Sequence, residues 1–259
     1  MKKFGRIIIA AFFCGLLFHM VSFAEAAPEK PASEDAAEKN LSIAEKAALE
    51  GKTLLPSPPY AYIANGKLYW GGQAENIGVR VDFLVCDSAD DAGMIGSRQG
   101  EVFSDEADVV IVKTGKDPVD VAKIIRDVPY PYYRVRCIPE YNTHKLVAAS
   151  EWLEPADNTV DRLKGLGLNG WIYLPGKWFY FKNGEPHRGR LALGGKEYYM
   201  DLETGAMQFG WIEDQGKWYY FQEGTGELFK DGITSDGYEV DKAGAWTGRM
   251  TSPKKYPWQ

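Results

Sequence analysis

Three sets of residues in this chain could do chemistry: a thiol with a base, a pair of carboxylates, and a dense group of aromatic rings. Cys86 and His144 supply a nucleophile and a proton acceptor, but no third group orients them and no local motif surrounds them. Glu140 and Glu151 supply the two carboxylates a glycosidase needs, yet almost any domain offers such a pair. His144 follows Asn142-Thr143 and reads as a surface loop residue. Three His and three Cys in 259 residues nearly exclude a multi-ligand metal site. No catalytic residue, metal or cofactor is therefore expected. The rings are another matter. Six of the eight tryptophans fall within residues 170–259: Trp171, Trp178, Trp211, Trp218, Trp246 and Trp258. A quaternary ammonium has no hydrogen to donate, so it is held by ring faces, each contact contributing about 0.5–2 kcal/mol. Sugars also present flat C–H faces to such rings, so aromatics alone do not choose between the two ligands.

The elements that must carry these rings turn often. Twenty-eight Gly and 14 Pro exclude a helix bundle or a coiled coil, and the formal charge of −6 argues against a nucleic-acid partner. Lys2, Lys3 and Arg6, the apolar run Ile7 to Val21, and Ala24-Glu25-Ala26 together predict a signal peptide cleaved after Ala26. The membrane is then a partner only during export, and the protein is secreted or held at the cell surface. Cleavage removes three bases and one acid and takes the charge from −6 to −8. Cys14 leaves with the signal. Cys86 and Cys137 remain, either as one disulfide in an oxidising compartment or as two packed thiols.

Residues 27–59 read as a Pro/Ala/Glu-rich linker, with one short helix capped by Ser42 and Glu45 and stopped at Gly51. Residues 60–155 read as a small α+β or α/β domain of unknown role. In it, Tyr60 to Ala64, Asn65-Gly66 and Lys67 to Trp70 predict a hairpin with a type I′ turn. Val79, Val81, Phe83 and Val85 form one face of a strand, Val109 to Val112 a buried strand, and Tyr132 to Ile138 another strand. Asp117 as N-cap and Pro118 at the first helical position predict a helix reaching Asp127. Lys145 to Trp152 fits either strand or helix.

From Gly170 a repeat of about 20 residues sets in. Its first unit is Gly170-Trp171, then Gly176-Lys177-Trp178-Phe179-Tyr180-Phe181, and its third is Gly210-Trp211, then Gly216-Lys217-Trp218-Tyr219-Tyr220-Phe221. The second keeps Gly195-Lys196-Glu197-Tyr198-Tyr199-Met200 and Gly205-Ala206-Met207, with Leu191 and Glu197 where the two Trp belong. A worn fourth runs from Gly232-Ile233 through Tyr238 to Trp246, and residues 249–259 form a tail. Each unit predicts a β-hairpin, and since one hairpin cannot bury its own apolar face, successive hairpins are expected to stack into a solenoid. Strand alternation points Phe179 and Phe181 inward and turns Trp178 and Tyr180 to the groove.

These motifs, over about residues 168–248, resemble the choline-binding or cell-wall-binding repeats of Gram-positive-type surface proteins. The resemblance implies a β-hairpin solenoid whose grooves hold choline of teichoic acid, or a glycan. Trp171, Trp178, Tyr180, Tyr199, Met207, Trp211, Trp218 and Tyr220 are then the ligand-binding residues. By the family's arrangement, two Trp of one hairpin and a Tyr of the next surround the cation. That selects Trp171, Trp178, Tyr199 and Met207 for the first groove, and leaves Trp211 and Trp218 without a third ring because Val240 takes its place. The expected function is a non-catalytic surface protein binding wall polymer. The alternative is an amidase-like wall hydrolase, with residues 60–155 catalytic and the repeats as its targeting module.

Overall fold

The computed structural model describes residues 41–72, 74, 77–84, 107, 109–115, 117–127, 131–140 and 146–251. In chain order these contain helix α1 (Ile43–Leu49), strands β1 (Thr53–Leu54), β2 (Ala61–Ala64), β3 (Lys67–Trp70), β4 (Ile77–Leu84), β5 (Val109–Lys113) and β6 (Val119–Asp120), and helix α2 (Ala122–Asp127). Then follow β7 (Tyr132–Pro139), β8 (Val147–Ala148), a 3₁₀ turn (Val160–Leu163), β9 (Gly170–Leu174), β10 (Lys177–Lys182), β11 (Glu185–Pro186), β12 (Gly189–Leu193) and β13 (Lys196–Met200). Last come β14 (Gly210–Asp214), β15 (Lys217–Phe221), β16 (Gly232–Ile233), β17 (Tyr238–Val240) and β18 (Trp246–Met250). The described residues are thus mostly strand with few helices. The signal peptide, Cys86, His144 and the tail from 252 lie outside the described residues.

Helix α1 begins where the sequence places it. Ser42 Oγ accepts from the Glu45 N–H, and the Glu45 carboxylate accepts from the Ser42 N–H at 2.8 Å. Its early N–H groups find a further acceptor in Glu151, whose carboxylate lies 3.0 Å from the Ala44 nitrogen. Strand β1 then pairs in parallel with β8, so part of the expected linker is docked onto the chain. The predicted hairpin forms as β2 and β3, with Asn65 and Gly66 both at positive φ (50° and 72°), the signature of a type I′ turn. The helix expected from Asp117 starts later. Pro118 leads instead into β6, which adds to the edge of β3, and the Asp120 carboxylate accepts from the Ala122 N–H at the start of α2. Pairing Val119 with Leu68 buries both on one sheet face, which a helix over 118–121 would not allow.

Two antiparallel sheets make the core. One has the order β5-β4-β7, with Val79, Val81, Phe83, Tyr133 and Val135 fully buried on its inner face. On its outer face the guanidiniums of Arg134 and Arg136 lie 4.1 and 4.4 Å from the Trp152 ring centre, and Asp82 pairs with Arg80 and Arg134. The other sheet has the order β11-β10-β9-β2-β3-β6 and runs through the 155–168 boundary expected from the sequence. Ile63 is opposite Tyr173 in this ladder, and the Tyr133 hydroxyl lies 3.3 and 3.2 Å from the carbonyl oxygens of Ala61 and Tyr173. Asn158, buried, accepts from the Ala61 N–H and donates to the Ala61 carbonyl. Its side chain does for Ala61 what a neighbouring strand would do. The first repeat hairpin is therefore built into the same sheet as the preceding region.

Later hairpins are two-stranded: β12/β13 and β14/β15, followed by the three-stranded β16-β17-β18. Short connector segments join them. Met207 N donates to Trp178 O at 2.8 Å and Gln208 N to Tyr199 O at 2.8 Å, so residues 206–208 run between β10 and β13. Leu228 N donates to Glu197 O and Phe229 N to Tyr220 O, linking β13 to β15 in the same manner. As the alternation demands, Phe179 and Phe181 are buried, packed with Leu163 and Ile172, whereas Trp178 and Tyr180 are half-buried against the next hairpin.

Candidate functional site

The ladders align the three hairpins residue by residue. Each opens on a Gly in the left-handed region (Gly170, Gly189 and Gly210, φ 89°, 74° and 75°). The residue after that Gly is opposite a Tyr: Trp171 with Tyr180, Arg190 with Tyr199, Trp211 with Tyr220. Two ladder positions further along, Trp178, Glu197 and Trp218 occupy equivalent places, opposite Tyr173, Ala192 and Glu213. Leu191 is thus not the counterpart of the leading Trp; Arg190 is. Leu191 matches Ile172 and, like it, packs inward.

The first groove lies between β9/β10 and β13. It has a volume of about 370 Å³ and is lined by Trp171, Trp178, Tyr198 and Met207, with Asn65-Gly66 and Gly224-Thr225 at its rims. Trp171 is the hub. Its ring centre lies 4.9 Å from Tyr198, 5.4 Å from Tyr180 and 6.3 Å from Trp178, each contact edge to face. Trp178 in turn rests on Tyr173 at 4.8 Å, which ties the groove wall to the main core. A side chain at Gly226 would collide with Met207, since a Cβ there would sit 2.5 Å from Sδ, and its φ of 70° also requires glycine. Among the described residues, no charged side chain lines this groove. Burial raises the Tyr198 phenol above its usual value, so it remains neutral at physiological pH.

Tyr199, expected in this groove, is not there. Neighbouring strand residues point to opposite faces, so β13 can give the groove only one of Tyr198 and Tyr199. Tyr198 takes the place. Tyr199 packs on Phe221 at 5.9 Å, in a cluster with Leu228 and Ile212.

The last groove repeats the first at a distance of 40 residues: Trp171, Trp178, Tyr180 and Tyr198 become Trp211, Trp218, Tyr220 and Tyr238. Trp211 lies 5.3 Å from Tyr220 and 5.5 Å from Tyr238, and its indole N–H donates to Asp236 at 2.8 Å. The third ring expected to be missing is supplied by Tyr238, while Val240 is buried. Trp246 packs edge-on against Tyr238 at 6.0 Å. Bridges pair Phe179 with Ala206 and Tyr219 with Ala245, so Trp246 stands where Met207 stands in the first groove. Trp218 is 43% exposed and Trp246 41%, which leaves this end the more open one. The 40-residue spacing of these four aromatic positions is a signal in the sequence that a 20-residue period hides.

The groove between them is different. Arg190 lies over Tyr219, its guanidinium carbon 3.8 Å from the ring centre, with Nε 2.6 Å from Asp214 and Nη1 3.2 Å from Glu197. Burial pulls the Arg190 pKa down, but the Asp214 hydrogen bond, the Tyr219 ring and the two carboxylates outweigh it and raise the value. The hydrogen bond from Lys230 lowers that of Glu197, against its partial burial, with Arg190 adding to the effect.

Of the other residues weighed from sequence, Glu151 is engaged at the start of α1 and Cys137 is a buried thiol raised by burial to about 11. The register sets Leu84, the last described residue of β4, opposite Tyr132, five residues from Cys137. The candidate partner of Cys137, Cys86, lies outside the described residues.

A family model described as "Putative cell wall binding repeat" matches residues 169–185 and 210–228, the first and third hairpins. The chain belongs to the cell-wall-binding repeat family. Among solved structures, it is similar to the choline binding domain of Spr1274 in Streptococcus pneumoniae (32% identity over 31% of this chain and 95% of that one, TM-score 0.29). It is also similar to choline binding protein F from Streptococcus pneumoniae (37% identity, 31% of this chain, TM-score 0.29), of which it spans 26%. A further likeness is to the pneumococcal cell wall endolysin from phage Cp-1 complexed with choline (21% identity, 34% of this chain and 33% of that one, TM-score 0.24). None of the curated proteins matches the chain. The cell-wall-binding repeats here comprise two grooves lined by rings, and between them one filled by an ion-pair network.

Proposed function

We propose that this chain is an exported, non-catalytic surface protein whose β-hairpin solenoid holds wall polymer through choline. The observation that carries this reading is the first groove. Three rings and a thioether surround a neutral space of about 370 Å³, a lining that attracts a cation through ring faces and offers no carboxylate to a hydrogen-bond donor. Choline as the cation rests on the family and on the choline-binding relatives. Residues 60–155 act as a platform: the first hairpin is a continuation of their sheet, so the groove is carried on a rigid core. Their non-catalytic role is supported by the engagement of Glu151 at a helix start and the inert environment of Cys137. Export follows from the predicted signal peptide, and mass spectrometry of the secreted protein should find it beginning at Ala27.

Retention on a quaternary-amine resin and elution by free choline tests the binding. Passage through the resin unretained, with no heat on titration with choline or wall glycan, refutes it. Zymography on cell walls tests the absence of catalysis, since a clearing zone lost on Cys86→Ser or His144→Ala would make the chain a hydrolase.

A further inference from the structure

The middle groove differs from its neighbours at two positions. Where both neighbours have tryptophan after the opening glycine, this hairpin has Arg190, and where both have the second tryptophan it has Glu197. The two replacements carry opposite charges and meet, Nη1 to Oε2, at 3.2 Å. Tyr219, the third ring, is retained, and the Arg190 guanidinium sits 3.8 Å above its centre. Asp214, half of the β14/β15 hairpin end, closes the other side at 2.6 Å from Nε.

We propose that Arg190 is an internal ligand of the middle groove: it fills the place of the bound cation there and closes that groove to choline. The proposal deepens the choline-binding reading and uses it for the neighbouring grooves. Two physical reasons make the closure selective. A guanidinium donates hydrogen bonds in a planar fork, which the carboxylates of Glu197 and Asp214 accept, whereas a quaternary ammonium has no hydrogen for either. The tethered side chain also competes at the high effective concentration of an intramolecular group. Soluble cations therefore enter only the first and last grooves, 40 residues apart. A site emptied of Arg190 keeps a tyrosine face and two carboxylates, and it should select a guanidinium over choline.

Two variants of the full chain, with a third as control, test this. Arg190→Ala should unfold at a lower temperature than wild type, and ethylguanidinium at millimolar concentration should raise its Tm saturably, with no such rise in wild type or in Arg190→Ala/Glu197→Gln. Choline should not substitute for it. Arg190→Trp/Glu197→Trp, which restores both rings, should gain one choline equivalent over wild type by isothermal titration. If either variant fails to fold, the Arg190 Nε–H resonance of wild type decides. It should exchange slowly and stay unmoved at saturating choline. No rescue by ethylguanidinium, an unchanged choline stoichiometry in the folded double variant, or displacement of the Arg190 signal by choline overturns the proposal. Absence of choline binding by wild type refutes the functional reading instead, and the ethylguanidinium rescue still tests Arg190.

Discussion

Tyr198 and Tyr199 are adjacent in sequence and opposite in role, which makes them the sharpest test of the first groove. Tyr198 lies edge-on to Trp171 at 4.9 Å and lines the groove. Tyr199 faces away, packed on Phe221 at 5.9 Å and only 7% exposed. Tyr198→Ala removes one of three rings around the cation. One ring contributes about 0.5–2 kcal/mol, so the choline Kd should rise roughly 2- to 30-fold. Tyr199→Ala removes a buried aromatic from a packed cluster instead, which costs about 3 kcal/mol of stability, or roughly 6–12 °C in Tm for a chain of this size. Its choline affinity should be unchanged while the protein is folded. Isothermal titration at 20 °C gives the affinities and differential scanning calorimetry the stabilities. The reasoning is refuted if Tyr199→Ala weakens choline binding and Tyr198→Ala does not, since the cage would then follow the other face of β13.

Other expectations follow from the same geometry. Trp178→Ala should weaken choline binding more than Trp218→Ala, because Trp178 is held between Trp171 and Tyr173 whereas Trp218 is 43% exposed; equal losses by titration would contradict this. Choline affinity should be flat from about pH 6 to 9, because the first groove is lined by no group that titrates there and Tyr198 is raised above the usual tyrosine value; a titration series across pH checks it. With Cys86→Ser as background, the Cys137 thiol, raised to about 11, should resist Ellman's reagent at pH 8 and react once urea unfolds the chain. Asn158→Ala strands the N–H of Ala61 in the core, while its C=O keeps the Tyr133 hydroxyl, and should lower stability by about 1–3 kcal/mol, read from urea unfolding curves.

Local chemistry made much of this protein legible in its sequence. The Ser42–Glu45 capping box, the Asn65-Gly66 turn and the inward Phe179 and Phe181 all appear as the residues predict, because each depends on a few adjacent residues. So did the family, since the Gly-Trp and Gly-Lys-Trp spacings are themselves the hairpin. What depends on partners distant in the chain was not readable. Asp117-Pro118 has a helix-start signature, yet β3 offered an edge nearby, and sheet pairing outweighed a weak local preference. The first hairpin joined β2 instead of standing apart, because Ile63 and Tyr173 share a core that no local pattern announces. At the grooves, sequence supplied the rings and the tertiary structure chose among them. A one-residue step reverses a strand's faces, so alignment alone could not separate Tyr198 from Tyr199, nor show Tyr238 completing the last groove. The unit spacing is uneven, from Gly170 to Gly189 to Gly210, and only the hairpin ladders reveal Arg190 in a tryptophan's place. Its partners Asp214 and Tyr219 come from the next hairpin, and it is the stacking of hairpins that brings those charges and that ring together.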